Sequence, residues 1–327
     1  MRCRVKGEKA REGNTGYFAK GEDMPSWQGH ILKNYLALRR LISRRGAKLD
    51  LTRNRANTEA TGSTFKPLRP AEYAPVVANS VPAEWVIPDS VRGGRTVLYL
   101  HGGYFNAGSI ASHRSLAANL AGAARAKVLT VGYRLAPEHP FPAGLDDALT
   151  IYRWLLDQGC PSRQMIVAGD SAGGALALAL LVQLRDQGQS LPALAVLLSP
   201  VTDLAMTGES WVANANADYM IDAAWYRESA NLYLQGADPR TPLASPLFAQ
   251  LHGLPPLLIQ VGSREMLLSD ALLFAQKARD AGVDVALEVW PEMQHEWQFL
   301  AGFLPEGRQA LWRIGEYIDA RMMDAEE

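Results

Sequence analysis

From about residue 82 onward, the sequence alternates short, apolar, β-branched segments with longer segments of helical periodicity, and this alternation constrains the fold more than any other feature. The periodicity predicts strands over residues 84–87, 96–101, 127–133, 164–169, 194–198, 257–262 and 285–290. It predicts helices over residues 113–125, 145–156, 171–186, 267–281 and 307–321. Strands that alternate with helices are joined by right-handed crossovers. This predicts an α/β fold in which helices cover both faces of a mostly parallel, twisted central sheet.

The segment 203–253 interrupts this alternation. It contains no strand-like stretch, but it carries several aromatic residues among polar ones, namely Trp211, Tyr219, Trp225, Tyr226 and Tyr233. A plain loop is rarely this long, so we predict a helical insertion. In open α/β sheets ligands bind at the carboxyl ends of the strands. We expect the insertion to cover that edge of the sheet together with residues 23–60.

The first 55 residues are strongly basic, with 14 Lys and Arg against 5 Asp and Glu. Within them, an apolar stripe at helical spacing is formed by Trp27, Ile31, Tyr35, Leu38 and Ile42. The stripe predicts that a basic amphipathic helix packs its apolar face on an acidic body. The alternative is that the basic segment binds nucleic acid or a membrane surface.

The composition excludes several other classes of protein. Hydrophobic residues make up 48% of the chain, enough for a large core, and the net charge of −1 does not suit a nucleic-acid partner. No apolar run approaches the roughly 18 residues of a membrane span, and no hydrophobic segment follows the charged N-terminal stretch. The two cysteines, Cys3 and Cys160, cannot form a disulfide framework. We expect a soluble, cytoplasmic protein without nucleic-acid binding or stable membrane insertion.

The stretch from Gly169 to Gly174, with the sequence GDSAGG, has the pattern of a nucleophilic serine on a strand-to-helix turn. The backbone of such a turn is strained, and the glycines two residues before and after Ser171 relieve the crowding. The N-terminus of the following helix favours a developing negative charge, and the N–H group of Ala172 can point at an oxyanion. The alternative is a small-residue turn whose serine only caps the helix.

A second motif, His101-Gly102-Gly103-Tyr104, closes the predicted strand at 96–101. Acyl transfer requires hydrogen-bond donors at a carbonyl oxygen that becomes negative, and two glycines let backbone N–H groups approach it closely. Alone, the motif could be a Gly-Gly turn. Upstream of a GxSxG turn, it is typical of an oxyanion loop.

The catalytic base and its orienting acid should follow later strands. Of the six histidines, His295 comes after the serine in the chain and directly after the last predicted strand, where a base is expected. The acid should follow the strand at 257–262, where Glu265 and Asp270 are both candidates. We predict Glu265, because it lies nearer the end of the strand while Asp270 falls inside the predicted helix.

Other kinds of site lack required residues. The pair His295-Glu296 begins a zinc-protease pattern, but Phe299 stands where the second histidine would be. Gly169 and Gly174 have the spacing of a phosphate-binding loop, yet Ala175 replaces its lysine. No CxxC motif occurs. We therefore predict neither a metal nor an organic cofactor.

Six stretches together resemble the bacterial hormone-sensitive-lipase-like esterases of the α/β-hydrolase fold, in the branch with a GDSAGG turn. They are LHGGYFNAGS, GYRLAPEHPFPA, AGDSAGGALA, LSPVTD, SPLFA and MQHEW, and they span residues 98–297. The resemblance implies that Ser171 is the nucleophile and His295 the base. It implies oxyanion donors at Gly102, Gly103 and Ala172, and it assigns His101, Glu138 and His139 to the scaffold of that loop.

The sequence departs from the pattern of this family at three positions. The acid usually opens a D-x-L-x-D pattern about 30 residues before the histidine, and here Glu265 takes its first position and Ser269 its last. Tyr104 replaces the usual third glycine of the oxyanion loop. We expect Tyr104, Phe105 and Asp170 to shape the substrate pocket, with Asp170 as an orienting residue.

The resemblance also implies a domain organisation and an activity. Residues 1–22 would be a flexible basic extension, 23–60 and 203–253 a helical cap, and 61–202 with 254–327 the catalytic domain. The expected reaction is hydrolysis of short- to medium-chain carboxylic esters through an acyl-enzyme, by a protein that forms homodimers through its last strand. The alternative is a non-catalytic protein that binds small molecules on the same scaffold.

Overall fold

An eight-stranded sheet forms the centre of the protein in a computed structural model that describes residues 25–42 and 50–322. The strands are β1 (Ala71–Ala78), β2 (Val81–Pro88), β3 (Thr96–Leu100), β4 (Lys127–Val131), β5 (Met165–Asp170), β6 (Leu194–Leu198), β7 (Leu257–Gly262) and β8 (Val285–Trp290). Their order across the sheet is β1-β2-β4-β3-β5-β6-β7-β8. The pairs β1–β2 and β2–β4 are antiparallel, and the other pairs are parallel. The predicted mostly parallel sheet is confirmed.

Helices cover both faces of this sheet. The α-helices of the described residues are α1 (Trp27–Ile42), α2 (Leu51–Gly62), α3 (Ile110–Ala124), α4 (Ala143–Asp157), α5 (Ser171–Asp186), α6 (Ser210–Ala213), α7 (Ala223–Leu234), α8 (Leu268–Asp280) and α9 (Pro305–Met322). The apolar core on one face joins the sheet to α3 and α9. The core on the other face joins it to α4, α5 and α8. The parallel strands therefore end together at one edge, where the predicted motifs meet.

Strand β1 was not predicted from the sequence. It forms a hairpin with β2 through Asn79 and Ser80, whose φ values of 48° and 72° suit the tight turns that join antiparallel strands. β1 lies at the edge of the sheet, is mostly half-buried or exposed, and contains Pro75, which an edge strand tolerates. An edge strand buries few side chains, so the sequence of β1 carries no clear apolar strand pattern.

Helix α1 forms as predicted, but its apolar stripe is mostly exposed and packs on the protein only where Trp27 meets the ring of Phe303 edge-on. The side chains of Trp27, Ile31, Tyr35 and Leu38 are between 51% and 65% exposed. The side chain of Ile42 lies outside the described residues, as do residues 1–22, for which a flexible extension was predicted. Periodicity reveals that a helix has an apolar side, but the neighbour of that side depends on contacts elsewhere on the helix.

Those contacts lie on another side of α1. Leu36 is buried, and Lys33 forms an ion pair with Glu292 at 2.9 Å. At the start of the helix, the N–H of Ser26 donates to Glu306 at 2.6 Å. These interactions attach α1 to the loop after β8 and to α9, near the carboxyl edge of the sheet.

The insertion at 203–253 contains no strand and is helical at α6 and α7, as predicted. Its aromatic side chains contact the loops at the carboxyl edge, since Tyr226 meets Tyr104 and Tyr233 stacks on Phe105.

Among the described residues, no helix combines the length and the apolar character needed to cross a membrane.

Candidate active site

Ser171 lies on the sharp turn between β5 and α5. Its φ of 49° is in the left-handed region, which a residue other than glycine occupies only under strain. A Cβ atom at Gly173 would lie 2.0 Å from the carbonyl oxygen of Leu100, and one at Gly169 would lie 2.3 Å from the carbonyl oxygen of Gly173. Only glycines therefore fit beside the serine, and the turn has the predicted strand-to-helix context.

Glu265, the predicted acid, contacts His295. The Nδ1 atom of His295 and Oε2 of Glu265 are 2.8 Å apart. The second carboxylate oxygen of Glu265 accepts hydrogen bonds from the hydroxyl of Ser199 at 2.8 Å and from the N–H of Gly262 at 2.5 Å. Glu265 is fully buried, so its carboxylate is held in one orientation toward the imidazole.

Asp270, the competing candidate, lies elsewhere. Its Oδ2 accepts hydrogen bonds from the N–H groups of Thr202 and Asp203, both at 2.9 Å. Burial, together with the charge of Asp203, raises the pKa of Asp270 to about 7. The two acids separate because Glu265 precedes α8, whereas Asp270 lies in the first turn of that helix. Asp270 therefore anchors the loop after β6.

The second imidazole nitrogen of His295 lies beside another carboxyl, that of Glu296. The Nε2 atom of His295 lies 3.5 Å from Oε1 of Glu296. This oxygen also lies close to the oxyanion loop, because a Cβ atom added to Gly102 would be only 2.8 Å from it. Burial alone would lower the pKa of His295, but the carboxyls of Glu296, Glu265 and Asp218 raise it to about 9. The Ser171 hydroxyl has no hydrogen-bond partner among the described residues. Such contacts are often long without substrate and tighten when it binds.

The predicted oxyanion loop follows β3, and one of its predicted donors is already engaged within the protein. The N–H of Gly102 donates to Oδ2 of Asp170 at 3.0 Å, so the prediction that Gly102 faces the oxyanion is wrong in this structure. The next two residues, Gly103 and Tyr104, have φ values of 115° and 57°. Their N–H groups, and that of Ala172, have no acceptor in the described part of the chain. No sequence signal could show that the N–H of Gly102 is engaged, because its partner Asp170 lies 68 residues away along the chain.

Two of the three predicted pocket residues are buried behind the site. Phe105 is 3% exposed and stacks on Tyr233 with ring centroids 4.0 Å apart, so it packs the loop against α7. Asp170 is fully buried and also contacts Nε2 of His113 at 3.3 Å. Asp170 orients the loop through Gly102. That Phe105 and Asp170 shape the substrate pocket stays a prediction. Tyr104 is half-buried and turns toward the insertion.

The scaffold residues hold the oxyanion loop from outside. His101 is buried and stacks on Tyr133 with centroids 4.3 Å apart. Burial lowers the pKa of His101 to about 3, so its ring is neutral. Glu138 forms an ion pair with Arg55 of α2 at 2.7 Å, and Arg55 also donates to the carbonyl of Asn106 at the end of this loop. In the described part of the chain, no hydrogen bond or ion pair joins His101 or Glu138 to Ser171, His295 or Glu265.

The insertion also contacts the acid and base loops, which the sequence did not indicate. Asn214 donates to the carbonyl of Glu265 at 2.7 Å. The buried Asp218 accepts from the N–H of Met266 at 2.8 Å. Gln294, next to the base, donates to the carbonyl of Ala217 at 3.0 Å. Asn, Asp and Gln are common surface residues, so no sequence signal distinguished these three from solvated ones.

Comparison with known proteins identifies a family model, described as alpha/beta hydrolase fold, that matches residues 97–299. The chain is 51% identical over 236 residues to an acetyl-hydrolase of Streptomyces hygroscopicus. This alignment covers 72% of this chain and 79% of that protein. The chain is also 34% identical over 244 residues to an ethyl acetate hydrolase of Pseudomonas putida. This alignment covers 72% of this chain and 76% of that protein.

Solved structures extend the similarity to nearly the whole chain. The crystal structure of an esterase from the bacterial hormone-sensitive lipase family is 41% identical to it, with a TM-score of 0.86. That match covers 91% of this chain and 99% of the esterase. A hormone-sensitive lipase from a metagenome library is 35% identical, also with a TM-score of 0.86, and covers 90% of this chain and 98% of that one.

Proposed function

Because the chain belongs to the hormone-sensitive-lipase-like esterases of the α/β-hydrolase fold and is a carboxylesterase, we propose that it cleaves its esters with the triad Ser171, His295 and Glu265. The fold and family inferred from the motifs are confirmed by the same comparisons. The observation that carries the triad is the 2.8 Å contact between Nδ1 of His295 and Oε2 of Glu265. Because Glu265 engages Nδ1, Nε2 of His295 is the nitrogen that we propose takes the proton of Ser171.

Acylation begins when Nε2 of His295 removes the proton of the Ser171 hydroxyl. The oxygen attacks the ester carbonyl carbon, and the carbonyl electron pair moves to the carbonyl oxygen. When this intermediate collapses, the bond from the carbonyl carbon to the alcohol oxygen breaks. The alcohol leaves with the proton from Nε2, and the acyl group remains on Ser171.

Deacylation repeats these steps with water. Nε2 of His295 takes one water proton, the hydroxide attacks the acyl carbon, and the collapse returns a proton to Ser171 and releases the carboxylic acid. Glu265 holds the imidazole in the tautomer that leaves Nε2 free and stabilises the imidazolium that forms in each half-reaction. The carboxylate itself stays ionised.

The N–H groups of Gly103, Tyr104 and Ala172 are the donors that we propose for the oxyanion. All three follow sharp turns, and none has an acceptor in the described residues. Preorganised donors of this kind stabilise the transition state more than the substrate, because they meet charge that develops only during the reaction. The N-terminus of α5 adds a favourable field at the same place.

The alternative of a non-catalytic binding protein requires the base or its acid to be missing or misplaced. In this chain His295 and Glu265 are in contact, and the glycines that the strained serine needs are present. A binding protein has no use for a serine held in a strained turn, whereas a nucleophile does. The geometry therefore favours catalysis.

We propose that residues 23–60 and 203–253 form the cap that limits the acyl chain; of the first segment, residues 23–24 and 43–49 lie outside the described residues. Support comes from Tyr226 of α7, whose ring meets Tyr104 of the oxyanion loop edge-on with centroids 6.3 Å apart, and from Trp211, 4.4 Å from Tyr226. An aromatic wall this close to the oxyanion donors leaves room for short rather than long acyl groups. Two relatives are named for acetyl and ethyl acetate hydrolysis.

A series of p-nitrophenyl esters tests this proposal. We expect kcat/KM to be highest for acetate to hexanoate and to fall steeply toward decanoate, because the longer chains must displace the aromatic wall. Steady-state rates at one pH, with the spontaneous hydrolysis subtracted, give the comparison. An absence of turnover on every ester would support the binding-protein alternative, and a rate that rises through decanoate would contradict the cap.

Replacing Tyr104 by glycine should widen the acyl range. Glycine keeps the backbone conformation at a φ of 57° and removes the ring that meets Tyr226. We expect kcat/KM for octanoate and decanoate to rise relative to acetate. Tyr104→Phe is the matched control, since it keeps the ring and should keep the acyl profile. If both variants retain the original profile, Tyr104 is not part of the wall.

We also propose a homodimer that pairs two copies through β8. This strand lies at the edge of the sheet, and an unpaired edge offers backbone hydrogen bonds to a second copy. Light scattering after size exclusion should give twice the mass of one chain. Val289→Pro, which removes an N–H that points away from β7, should yield monomers.

A further inference from the structure

The residue after the base, Glu296, brings a second carboxyl group to His295. Its φ of 56° is in the left-handed region, and its carboxyl lies beside the imidazole. Oε1 lies 3.5 Å from Nε2 of His295, on the opposite side of the ring from Glu265. Only 19% of the Glu296 side chain is exposed. A charge on this carboxyl would therefore act on Nε2 with little screening by water.

The carboxyl of Glu296 also forms a hydrogen bond with that of Asp170. Both carboxyls lie against the α-carbon of Gly102, where a Cβ would be 2.4 Å from Oδ2 of Asp170 and 2.8 Å from Oε1 of Glu296. Gly102 thus provides the space in which the two acids meet. Two carboxyls this close do not both ionise readily, because like charges at short range repel.

We propose that Glu296 is a positioning residue for His295 and that it sets the pH range of the esterase. When Glu296 is ionised, its carboxylate stabilises the proton on Nε2 of His295 and so delays the release of the base to higher pH. Nothing in the triad requires a carboxyl at this position. This inference rests on the proposed role of His295 as the base.

The groups around Glu296 come from each neighbouring element. Its own loop provides His295, β5 ends with Asp170, and the loop after β7 provides Glu265, which is the third group acting on Glu296. His113 of α3 contacts Asp170 and keeps the pKa of that carboxyl low despite its burial.

A charge on Glu296 also raises the pKa of three tyrosine hydroxyls, those of Tyr99, Tyr104 and Tyr133. Burial raises the pKa of all three above the ordinary value of a tyrosine, so they stay neutral. The charges that decide the outcome therefore belong to His295, to Glu296 and to the neighbouring Asp170, Glu265, Asp218 and His113.

The direction of the effect follows from these contacts. Burial, and then the charge of Asp170, raise the pKa of Glu296 well above its usual range, while His295 opposes this. In return Glu296 contributes to raising the pKa of His295 to about 9. Catalysis requires Nε2 without its proton, so kcat/KM rises as pH increases through the pKa of His295 in the free enzyme. Removing the carboxyl should lower that pKa.

The test compares Glu296→Gln with Glu292→Gln in the full chain. The amide in Glu296→Gln keeps the size of the side chain and can still donate to Asp170, but it cannot ionise. We expect the acidic limb of kcat/KM to move to lower pH by about one unit or more, the shift that a nearby opposite charge produces. Glu292 lies on the same loop, and its pKa is lowered by Arg264 and Lys33. Its variant should leave the limb in place.

A titration of the His295 imidazole by NMR distinguishes the two proposals. A lower pKa of His295 in Glu296→Gln, with a parallel shift of the kinetic limb, supports the inference. An unchanged pKa of His295 in a folded variant overturns it. A pKa that falls while the kinetic limb stays in place contradicts His295 as the base and, with it, the control of the pH range by Glu296.

Discussion

Ser171→Ala should lower kcat by about 10⁶, the loss seen when a triad nucleophile is removed from a serine protease. The Ser171 hydroxyl has no hydrogen-bond partner among the described residues, so its removal leaves no buried group unpaired. Alanine and serine are equally strained at a φ of 49°, so the turn is unchanged. The variant should therefore keep the melting temperature of the unaltered protein while losing turnover.

The measurement is initial rates on p-nitrophenyl butyrate, with circular dichroism and thermal unfolding of the same sample. Ser63→Ala is a suitable control, because Ser63 is an exposed residue at the end of α2 and should retain full activity. Mass spectrometry after brief exposure to substrate should detect an acylated serine in the unaltered protein and none in Ser171→Ala. Activity above a few per cent in the folded variant would rule out Ser171 as the nucleophile.

Glu265→Gln should lower kcat by about 10⁴, the loss measured when the carboxylate of a serine-protease triad becomes an amide. The amide would present a donor or a weak acceptor to Nδ1 of His295, and the imidazole would then favour the tautomer whose Nε2 carries the proton. Glutamine retains the size of the side chain and an oxygen for Ser199 and Gly262. The loss should therefore appear in kcat more than in KM.

Asp270→Asn is the matched control, since it makes the same chemical change in the other acid that follows β7. Asparagine still offers an oxygen to the N–H groups of Thr202 and Asp203. Because the pKa of Asp270 is raised to about 7, much of the carboxyl is already neutral near that pH. We expect kcat to fall at most about tenfold, the effect of weakening one or two hydrogen bonds. The reverse order of losses, with both variants folded, would make Asp270 the acid.

Local sequence patterns determined most of the fold of this protein. The seven predicted strands appear in the structure. Six of them are short apolar runs in the parallel part of the sheet, where helices bury both faces, and the seventh, β2, pairs antiparallel with both neighbours. The turn at Ser171 and its glycines are equally local, since the residues that crowd it are two positions away or in the adjacent strand. A single motif of six residues was enough to predict its geometry.

The tertiary structure decided which of the candidates meet. Glu265 and Asp270 are five residues apart, and only the start of α8 directs one to His295 and the other to the loop after β6. The N–H of Gly102 is occupied because Asp170, 68 residues later, comes to lie beside it. Helix α1 turns its apolar stripe outward because Lys33 and Ser26 find acidic partners about 260 to 280 residues away. Spacing along the chain specifies contacts within a turn or a strand, whereas contacts between distant segments depend on the order of strands in the sheet.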